Sequence, residues 1–438
     1  PGLDWAGRRR CRPALAALAA AGGEAGALAG RMEEAARFRR GSLSRRAVEA
    51  LYGGQVALSA SRMDKVKSCH FAYFLQYGLK ARPRKPAGFN APEAGTFVHF
   101  VLEHVLRAVR EEGGAAACPA DRARELTRRA VEDYVAGELG GLEDKPPRFR
   151  YLFQRLLRSV DLVVDNVLEE LRASRFQPVD FELGFGGRGE LPPVQLEVDG
   201  LTLSISGFVD RVDGWVRDGR VYLRVVDYKT GGKSFDLTDV WHGLGMQMLL
   251  YLFTLQEEGA ERYGGRPEAA GVLYLPAHDV IVRGSRAMDE DSRRRQVDAA
   301  LVRRGLLLDD GEVLEAMEHM GEGGPRFLPV KVSRKTGAIS GEALASAAQL
   351  GMLRRHIGRV LRDIGGELAR GSIDAAPCYR NRNQSACTYC DYAAACHFEE
   401  CLGDRRRYLY PVKGTEFWER VSREEAGPGG RPPRDAKF

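Results

Sequence analysis

Two aspartates and a lysine, at positions 210, 227 and 229, lie in one stretch whose residue types and spacing predict metal chemistry. An Asp-Gly pair at 218–219 divides this stretch and predicts a two-residue hairpin turn, because such turns need positive φ angles that these residues tolerate. Pairing about that turn brings Asp210 opposite Asp227, with Cβ atoms roughly 4.5–5.5 Å apart. Lys229 follows Asp227 by two residues and therefore projects to the same side of its strand.

Two carboxylates side by side on a buried sheet are costly unless a cation lies between them. Asp210 and Asp227 therefore predict a Mg²⁺ or Mn²⁺ site, with a backbone carbonyl near Tyr228 as a further oxygen ligand. Such an ion activates water and neutralises charge on a phosphate, and Lys229 would hold the water or a phosphoryl oxygen. The alternative is an ordinary surface hairpin, but the segment 221–228 is too apolar for that and predicts a largely buried strand.

Three more side chains are candidates for the same site. His99 lies on a predicted helix from Gly95 to Arg110, where it is either a further metal ligand or an ordinary histidine on a helix face. Gln247 and Tyr251 are spaced i, i+4 on the helix predicted after the hairpin, so both project from one face and could contact substrate. Taken alone this pair is a weak signal, because most such pairs only pack or face water.

A second group consists of thiols close to the end of the chain. Three of them fall within ten residues: Cys387, Cys390 and Cys396. A CxxC with a third nearby cysteine, in a chain without an export signal, predicts metal binding before a disulfide. A four-ligand site needs one more side chain, which the spacing leaves open among Cys69, Cys378, Cys401 and His397. Zinc and an iron–sulfur cluster are both compatible with this pattern.

Four segments together resemble the PD-(D/E)xK nuclease superfamily in its RecB-like branch: GTFVH (95–99), GFVDRVD (207–213), VVDYKTG (225–231) and GMQMLLYL (245–252). Two others resemble the nuclease region of the AddB family, which belongs to the AddAB helicase–nucleases: SCHFAYFLQYGL (68–79) and ACTYCDYAAACHF (386–398). The resemblance covers roughly residues 55–415. It implies an α/β fold, in which a PD-(D/E)xK core with a mixed central sheet lies inside a mostly helical shell closed by an iron–sulfur cluster.

The resemblance also implies roles for individual residues. The metal ligands would be Asp210, Asp227 and His99. Lys229 would position and stabilise the reacting groups, with Gln247 and Tyr251 supporting the substrate. The ligands of a [4Fe–4S] cluster would be Cys69, Cys387, Cys390 and Cys396, which leaves Cys378 and Cys401 as free thiols.

The implied activity is Mg²⁺-dependent exonucleolytic cleavage of DNA, at double-stranded ends and on single strands, during double-strand-break processing and recombinational repair. An AddA-type helicase–nuclease subunit is the expected partner. Two alternatives remain: a stand-alone RecB-family nuclease, and an inactive scaffold that binds DNA ends through the cluster. The intact Asp210, Asp227 and Lys229 argue against the scaffold.

Composition and organisation are consistent with a DNA-binding enzyme in the cytoplasm. The 438-residue chain carries a net charge of +6, a mild basic excess compatible with a polyanion. Apolar runs are too short for a transmembrane helix, and nothing predicts export. Three regions are expected: 1–55, a helical remnant of an upstream helicase-like region; 56–415, the nuclease domain with its iron–sulfur staple; and 416–438, a partly disordered tail.

Overall fold

The computed structural model describes residues 12–37, 41–83, 91–187, 189–232, 235–278, 280–284, 288–321, 324–400 and 404–426. The helices are α1 (Arg12–Ala20), α2 (Gly23–Arg37), α3 (Arg45–Tyr52), α4 (Ala60–Ser68), α5 (His70–Tyr73), α6 (Ala91–Glu111), α7 (Ala120–Tyr134), α8 (Pro147–Arg172), α9 (Leu237–Trp241), α10 (Gln247–Glu258), α11 (Ala260–Tyr263), α12 (Glu290–Leu301), α13 (Gly311–Met317), α14 (Ala347–Ala369), α15 (Ala393–Cys396) and α16 (Gly414–Ala426). Short π-helical turns, Phe74–Gly78 and Val135–Leu139, extend α5 and α7.

Within these described ranges, the strands form one large sheet and three small ones. They are β1 (Gln55–Leu58), β2 (Gln177–Phe185), β3 (Val194–Val198), β4 (Leu201–Ile205), β5 (Gly207–Arg217), β6 (Arg220–Lys229), β7 (Pro267–Pro276), β8 (Arg304–Leu308), β9 (Lys331–Val332), β10 (Ile339–Ser340), β11 (Leu344–Ala345), β12 (Cys378–Asn381), β13 (Gln384–Ser385) and β14 (Arg407–Tyr408). The large sheet has the order β11-β8-β7-β6-β5-β2 and is mixed, because β6 and β7 run parallel while β2, β5 and β6 are antiparallel. This mixed α/β architecture is the one that the sequence predicts.

The hairpin of β5 and β6 has the predicted register. Asp218 and Gly219 both adopt positive φ, at 50° and 73°, as a primed turn requires. Pairing runs from Arg217–Arg220 at the turn to Arg211–Val226, so Asp210 and Asp227 come next along the two strands. Burial of almost every residue of β6 confirms that this is a core strand and not a solvated edge.

The sequence predicts one strand from Leu201 to Val212, but the structure has two strands there, in different sheets. The strand is interrupted at Ser206, whose backbone N–H donates to the Leu58 carbonyl at 2.9 Å. Residues before the break form β4, which pairs with β1 and β3, whereas residues after it enter the large sheet as β5. Apolar residues occur on both sides of Ser206 with no Asn-Gly pair or Pro between them, so the sequence predicts one strand.

The sequence also predicts one helix from Leu237 to Glu257 after the hairpin, but the structure divides it into α9 and α10. Gly243 and Gly245 between them adopt φ of 78° and 64°, a conformation that ends a helix. Gly243 also lies close to α14, because an added Cβ would meet the Val360 Cγ1 at 2.8 Å. Because the helix ends between them, the axis of α10 does not have to continue that of α9.

Helices cover the sheet and join the ends of the domain. Helix α6 packs against β2, β5 and the neighbouring helices α7 and α8. Helix α14 packs against α10 and the β1-β4-β3 sheet, and α16 packs against α9 and α14. Phe417 and Val421 of α16 are fully buried, so this part of the predicted tail belongs to the folded body, while residues 427–438 lie outside the described part. Within the described ranges, every helix is too short or too polar to cross a membrane.

Candidate metal site and thiol cavity

Asp210 lies where β5 and β6 separate. Regular pairing stops at Arg211 and Val226, and the Asp210 carboxylate turns toward β6, where its Oδ2 accepts a hydrogen bond from the Tyr228 N–H at 2.7 Å. The other carboxylate oxygen faces His99, whose Nδ1 lies 3.5 Å away. The carboxylate is therefore held from one side by the backbone and keeps an oxygen available for a ligand.

His99 reaches this point because α6 approaches the end of β6 closely. Gly95, one turn earlier, has no side chain between the helix and Thr230, whose Oγ1 would be 3.4 Å from an added Cβ. His99 Nε2 lies 3.0 Å from the Tyr228 carbonyl. Burial lowers the pKa of His99, but Asp210 and the carbonyl outweigh burial and raise the pKa to about 9. A metal ion that used this imidazole as a ligand would therefore compete with a proton for it.

Glu182 of β2 completes a ligand group that the sequence analysis missed. Ligand atoms of His99, Glu182 and Asp210 all lie within 4.8 Å of one another. Glu182 adopts a positive φ of 49°, which is unusual for a side chain of this size. Burial and the nearby Asp210 raise its pKa to about 7. Two carboxylates and an imidazole form a donor set that suits Mg²⁺ or Mn²⁺.

Asp227 and Lys229 form the adjacent part of the site. Lys229 Nζ lies 2.5 Å from Asp227 Oδ2, and the ammonium also lies over the Tyr274 ring, 5.3 Å from its centroid. Burial and the charge of Asp210 raise the pKa of Asp227, while Lys229 lowers it. The lysine side chain is 25% exposed, so its charge is accessible to an incoming anion.

Gln247 and Tyr251 project from the same face of α10, as predicted from their spacing. Gln247 Nε2 lies 3.5 Å from the Tyr251 hydroxyl. Tyr251 is buried, stacks on Phe185, and fills the space beside Gly207, where an added Cβ would overlap the hydroxyl oxygen. Tyr251 therefore supports the start of β5, whereas the half-buried Gln247 at the first turn of α10 is the more accessible of the two.

The thiols lie in a separate cavity of about 640 Å³. Its walls include Cys69, Cys387, Cys390 and Cys396. Burial raises the pKa of Cys69, backbone hydrogen bonds lower it, and the Cys387 and Cys390 thiols raise it again. The fold thus brings the distant Cys69 to the C-terminal cysteines, although spacing alone left the fourth member open.

Packing beneath the cavity joins its two segments. Cys69, Ala72 and Tyr392 form a small buried cluster, and the Tyr392 hydroxyl donates to the Ala81 carbonyl at 2.9 Å. Cys378 is buried outside this group, where its Sγ contacts the Lys67 carbonyl at 3.0 Å. Cys401 lies outside the described residues.

Comparison with known families agrees with this geometry. The model of the PD-(D/E)XK nuclease superfamily matches residues 57–397, and the chain belongs to that superfamily. This confirms the family resemblance of the sequence motifs. Superfamily members use divalent metal ions, and the group of His99, Glu182 and Asp210 provides a place for one.

The curated relatives are B subunits of ATP-dependent helicase/deoxyribonucleases. The chain is 32% identical over 386 residues to the protein of Acetivibrio thermocellus and 33% identical over 387 residues to that of Clostridium novyi. It is 30% identical over 382 residues to that of Clostridium acetobutylicum. These matches cover 87%, 87% and 86% of this chain but 34%, 34% and 33% of the relatives, so the chain spans about one third of their length.

Proposed function

We propose that this chain is a metal-dependent deoxyribonuclease that hydrolyses DNA phosphodiester bonds. The observation that carries the proposal is the convergence of His99, Glu182 and Asp210 within 4.8 Å, beside the Asp227–Lys229 pair. Membership of a nuclease superfamily supports the same reaction. Exonucleolytic action at DNA ends is the form of this activity that we propose for the chain.

The residues present fit a divalent ion. His99, Glu182 and Asp210 would hold it. The Tyr228 carbonyl lies 3.0 Å from His99 Nε2, and the Asp227 carboxylate interacts with Asp210 and His99, so both are further oxygens beside the group. A bound Mg²⁺ or Mn²⁺ supplies Lewis-acid chemistry, which lowers the pKa of water and neutralises charge on a phosphate. Because the pKa values of His99 and Glu182 are raised, protons would compete with the ion for both side chains.

Lys229 acts on the substrate through its charge. Its ammonium is fixed by Asp227 and Tyr274 and remains partly exposed, so it stabilises the negative charge that develops on the phosphoryl oxygens. Gln247 lies at the start of α10 and donates to the DNA backbone. Tyr251 is a positioning residue, because its buried ring holds Gly207 at the start of the strand that carries Asp210.

The test is cleavage of linear duplex and single-stranded DNA by the purified chain, with Mg²⁺ or with EDTA. Asp210→Ala and Lys229→Ala should each lower the rate by about 10²–10³ or more, as expected for loss of one stabilising group. Lys331→Ala, at an exposed lysine in the separate β9-β10 sheet, is the control. Binding of DNA without Mg²⁺-dependent cleavage would instead favour the scaffold alternative.

The biological setting that we propose is that of an AddB-type protein in double-strand-break processing and recombinational repair, in the cytoplasm. Support comes from identity of 30–33% to the helicase/deoxyribonuclease relatives over nearly all of this chain. The partner would be an AddA-type subunit. Co-elution with such a partner in gel filtration tests this, and separate elution would favour a stand-alone nuclease.

The thiol cavity is proposed to hold a [4Fe–4S] cluster on Cys69, Cys387, Cys390 and Cys396. The support for this proposal is that all four thiols line one cavity, as a centre with four thiolate ligands requires. A zinc ion on the same thiols is the alternative. A bound cluster would link the two cysteine segments covalently.

Purification without oxygen tests the cluster. The chain should be brown and contain iron and sulfide, and Cys390→Ser should remove the colour. A colourless protein with one equivalent of zinc would overturn the cluster proposal and leave the nuclease proposal intact.

A further inference from the structure

Phe208 is an exposed aromatic side chain beside the metal site. Its ring is 61% exposed, although the residue lies within β5, only two positions before Asp210. Across the ladder it pairs with Gly184, which is two positions after Glu182. At about 3.3 Å per residue, Phe208 lies roughly 7 Å from Asp210 along β5, and its partner Gly184 lies the same distance from Glu182 along β2.

Two glycines have their backbone close to this ring. An added Cβ at Gly184 would meet Phe208 Cε1 at 3.0 Å and the Gly189 Cα at 2.9 Å. Gly189 in turn is packed so tightly that its own Cβ would lie 2.5 Å from the Gly184 carbonyl. The backbone of these two glycines therefore lies near part of the ring, while most of the ring surface is exposed to solvent.

The other side of β5 and β2 at this point is covered by the core. Gly207 and Phe185 are paired neighbours of Phe208 and Gly184, and both contact the buried Tyr251. Because adjacent residues of a strand point to opposite sides, Phe208 and Gly184 point away from this core. The exposed ring therefore lies on the side of β5 that faces away from Tyr251.

We propose that Phe208 stacks on an unpaired nucleobase of the DNA strand whose phosphate lies at the metal site. The inference rests on the proposed nuclease function and names its substrate: a strand with an unstacked base next to the cleaved bond. The metal ligands and Lys229 receive the phosphate, and the aromatic face receives the adjoining base. Stacking on an aromatic ring is tolerant of sequence, since every base has a π-face. A base within an intact duplex cannot reach the ring, so the site selects single strands and frayed ends.

Fluorescence of 2-aminopurine in a short single-stranded oligonucleotide tests this interaction. Titrations use the full chain with Ca²⁺ in place of Mg²⁺, and a gel confirms that the oligonucleotide stays intact. The parent and Phe208→Trp should quench the fluorescence. Phe208→Ala should lose the quenching and bind the single strand about 5- to 100-fold more weakly, with a change of less than about twofold for blunt duplex. Val216→Ala is the matched control, because Val216 is 67% exposed and lies on the same strand next to the hairpin turn, at the opposite end of β5 from Phe208.

Equal quenching by the parent and Phe208→Ala, or an equal loss of affinity for duplex and single strand, would overturn the proposal. Absence of any quenching by the parent would overturn it as well. Failure of the nuclease proposal looks different, because the parent would then leave DNA uncut with Mg²⁺ while quenching still depended on Phe208.

Discussion

Arg224 donates from Nε to Asp213 Oδ2 at 2.8 Å across the β5–β6 hairpin, and both side chains are fully inaccessible to solvent. Arg211 lies beside them, with its Nη2 3.1 Å from the same carboxylate oxygen. Glu170 from α8 contacts Arg224 at 3.0 Å and Arg303 at 2.7 Å. The second aspartate of the GFVDRVD segment therefore belongs to a buried ion network, whereas Asp210 three residues earlier belongs to the metal site.

Glu170→Gln should destabilise the chain by about 3–5 kcal/mol, because it leaves buried guanidinium groups without a carboxylate. The three arginines outweigh the effect of burial and lower the pKa of Glu170 to about 2, so the side chain is ionised at neutral pH. Urea unfolding measures the difference. Glu169→Gln is the control, since that neighbour is 37% exposed and its surface ion pairs contribute less than about 1 kcal/mol. Equal stability of the two variants would contradict a structural role for the network.

Glu182→Gln should weaken the binding of Mn²⁺ by about 10- to 100-fold or more, since a ligating carboxylate becomes a neutral amide. Calorimetric titration with Mn²⁺ measures this in the absence of DNA. Glu103→Gln provides the comparison, because Glu103 lies near Glu182 but pairs with Arg107 at 2.9 Å. If both variants bind Mn²⁺ as the parent does, Glu182 is not a ligand.

The contrast between Asp227 and Glu182 shows which contacts the sequence could predict. Asp210 and Asp227 are joined by a two-residue turn, so the turn residues alone determine their register. Glu182 lies opposite Asp210 on the neighbouring strand β2. Between β2 and β5 the chain forms β3 and β4, which belong to another sheet. With no tight turn between these strands, packing determines the register, and the alternating pattern of FELGF could not reveal it.

Side chains joined over long distances in sequence were predictable only through resemblance. The pattern of Cys387, Cys390 and Cys396 indicated a metal centre but gave no reason to choose Cys69 over Cys378. The structure separates these two thiols: Cys69 lines the cavity, whereas Cys378 contacts the Lys67 carbonyl and Arg407 Nη2. The packing of Cys69 and α5 against the segment around Tyr392 determines which thiol lines the cavity. Local sequence propensities do not encode such a tertiary contact.

Cys69→Ser should abolish iron binding, and Cys378→Ser should preserve it. Each variant removes one buried thiol from the same region, so general destabilisation would affect both. Iron and acid-labile sulfide contents after anaerobic purification measure the result. Retention of a full iron content by Cys69→Ser would exclude this thiol as a ligand.

Stability should depend on pH through Glu367, which lies 3.0 Å from Lys67 Nζ and 3.1 Å from His70 Nε2. Burial alone would raise its pKa, but His70 and Lys67 lower the pKa to about 2. A carboxylate whose pKa is lower in the folded state stabilises the protein fully at pH values above its pKa in the unfolded state. This contribution is lost as the pH falls toward its pKa in the folded state.

Glu367→Gln should therefore cost on the order of 3 kcal/mol at neutral pH, and the difference from the parent should shrink as pH falls below about 4.5. Chemical unfolding at several pH values measures it. Asp363→Asn, at an exposed position one turn earlier on α14, should change stability by less than about 0.5 kcal/mol. A difference that stays constant with pH would refute the assignment of Glu367.

Gly207→Ala should destabilise β5 by about 1–3 kcal/mol, because the new methyl overlaps the Tyr251 hydroxyl and one of the two groups must move. Displacement of this strand also shifts Asp210, so cleavage should slow in parallel. Gly265→Ala, where an added Cβ meets only ordinary contacts at 3.5 Å and beyond, controls for the substitution itself. A double-mutant cycle locates the cause: in a Tyr251→Ala background the cost of Gly207→Ala should largely vanish. Additive costs in that cycle would mean that the close approach of Tyr251 to Gly207 does not position the strand.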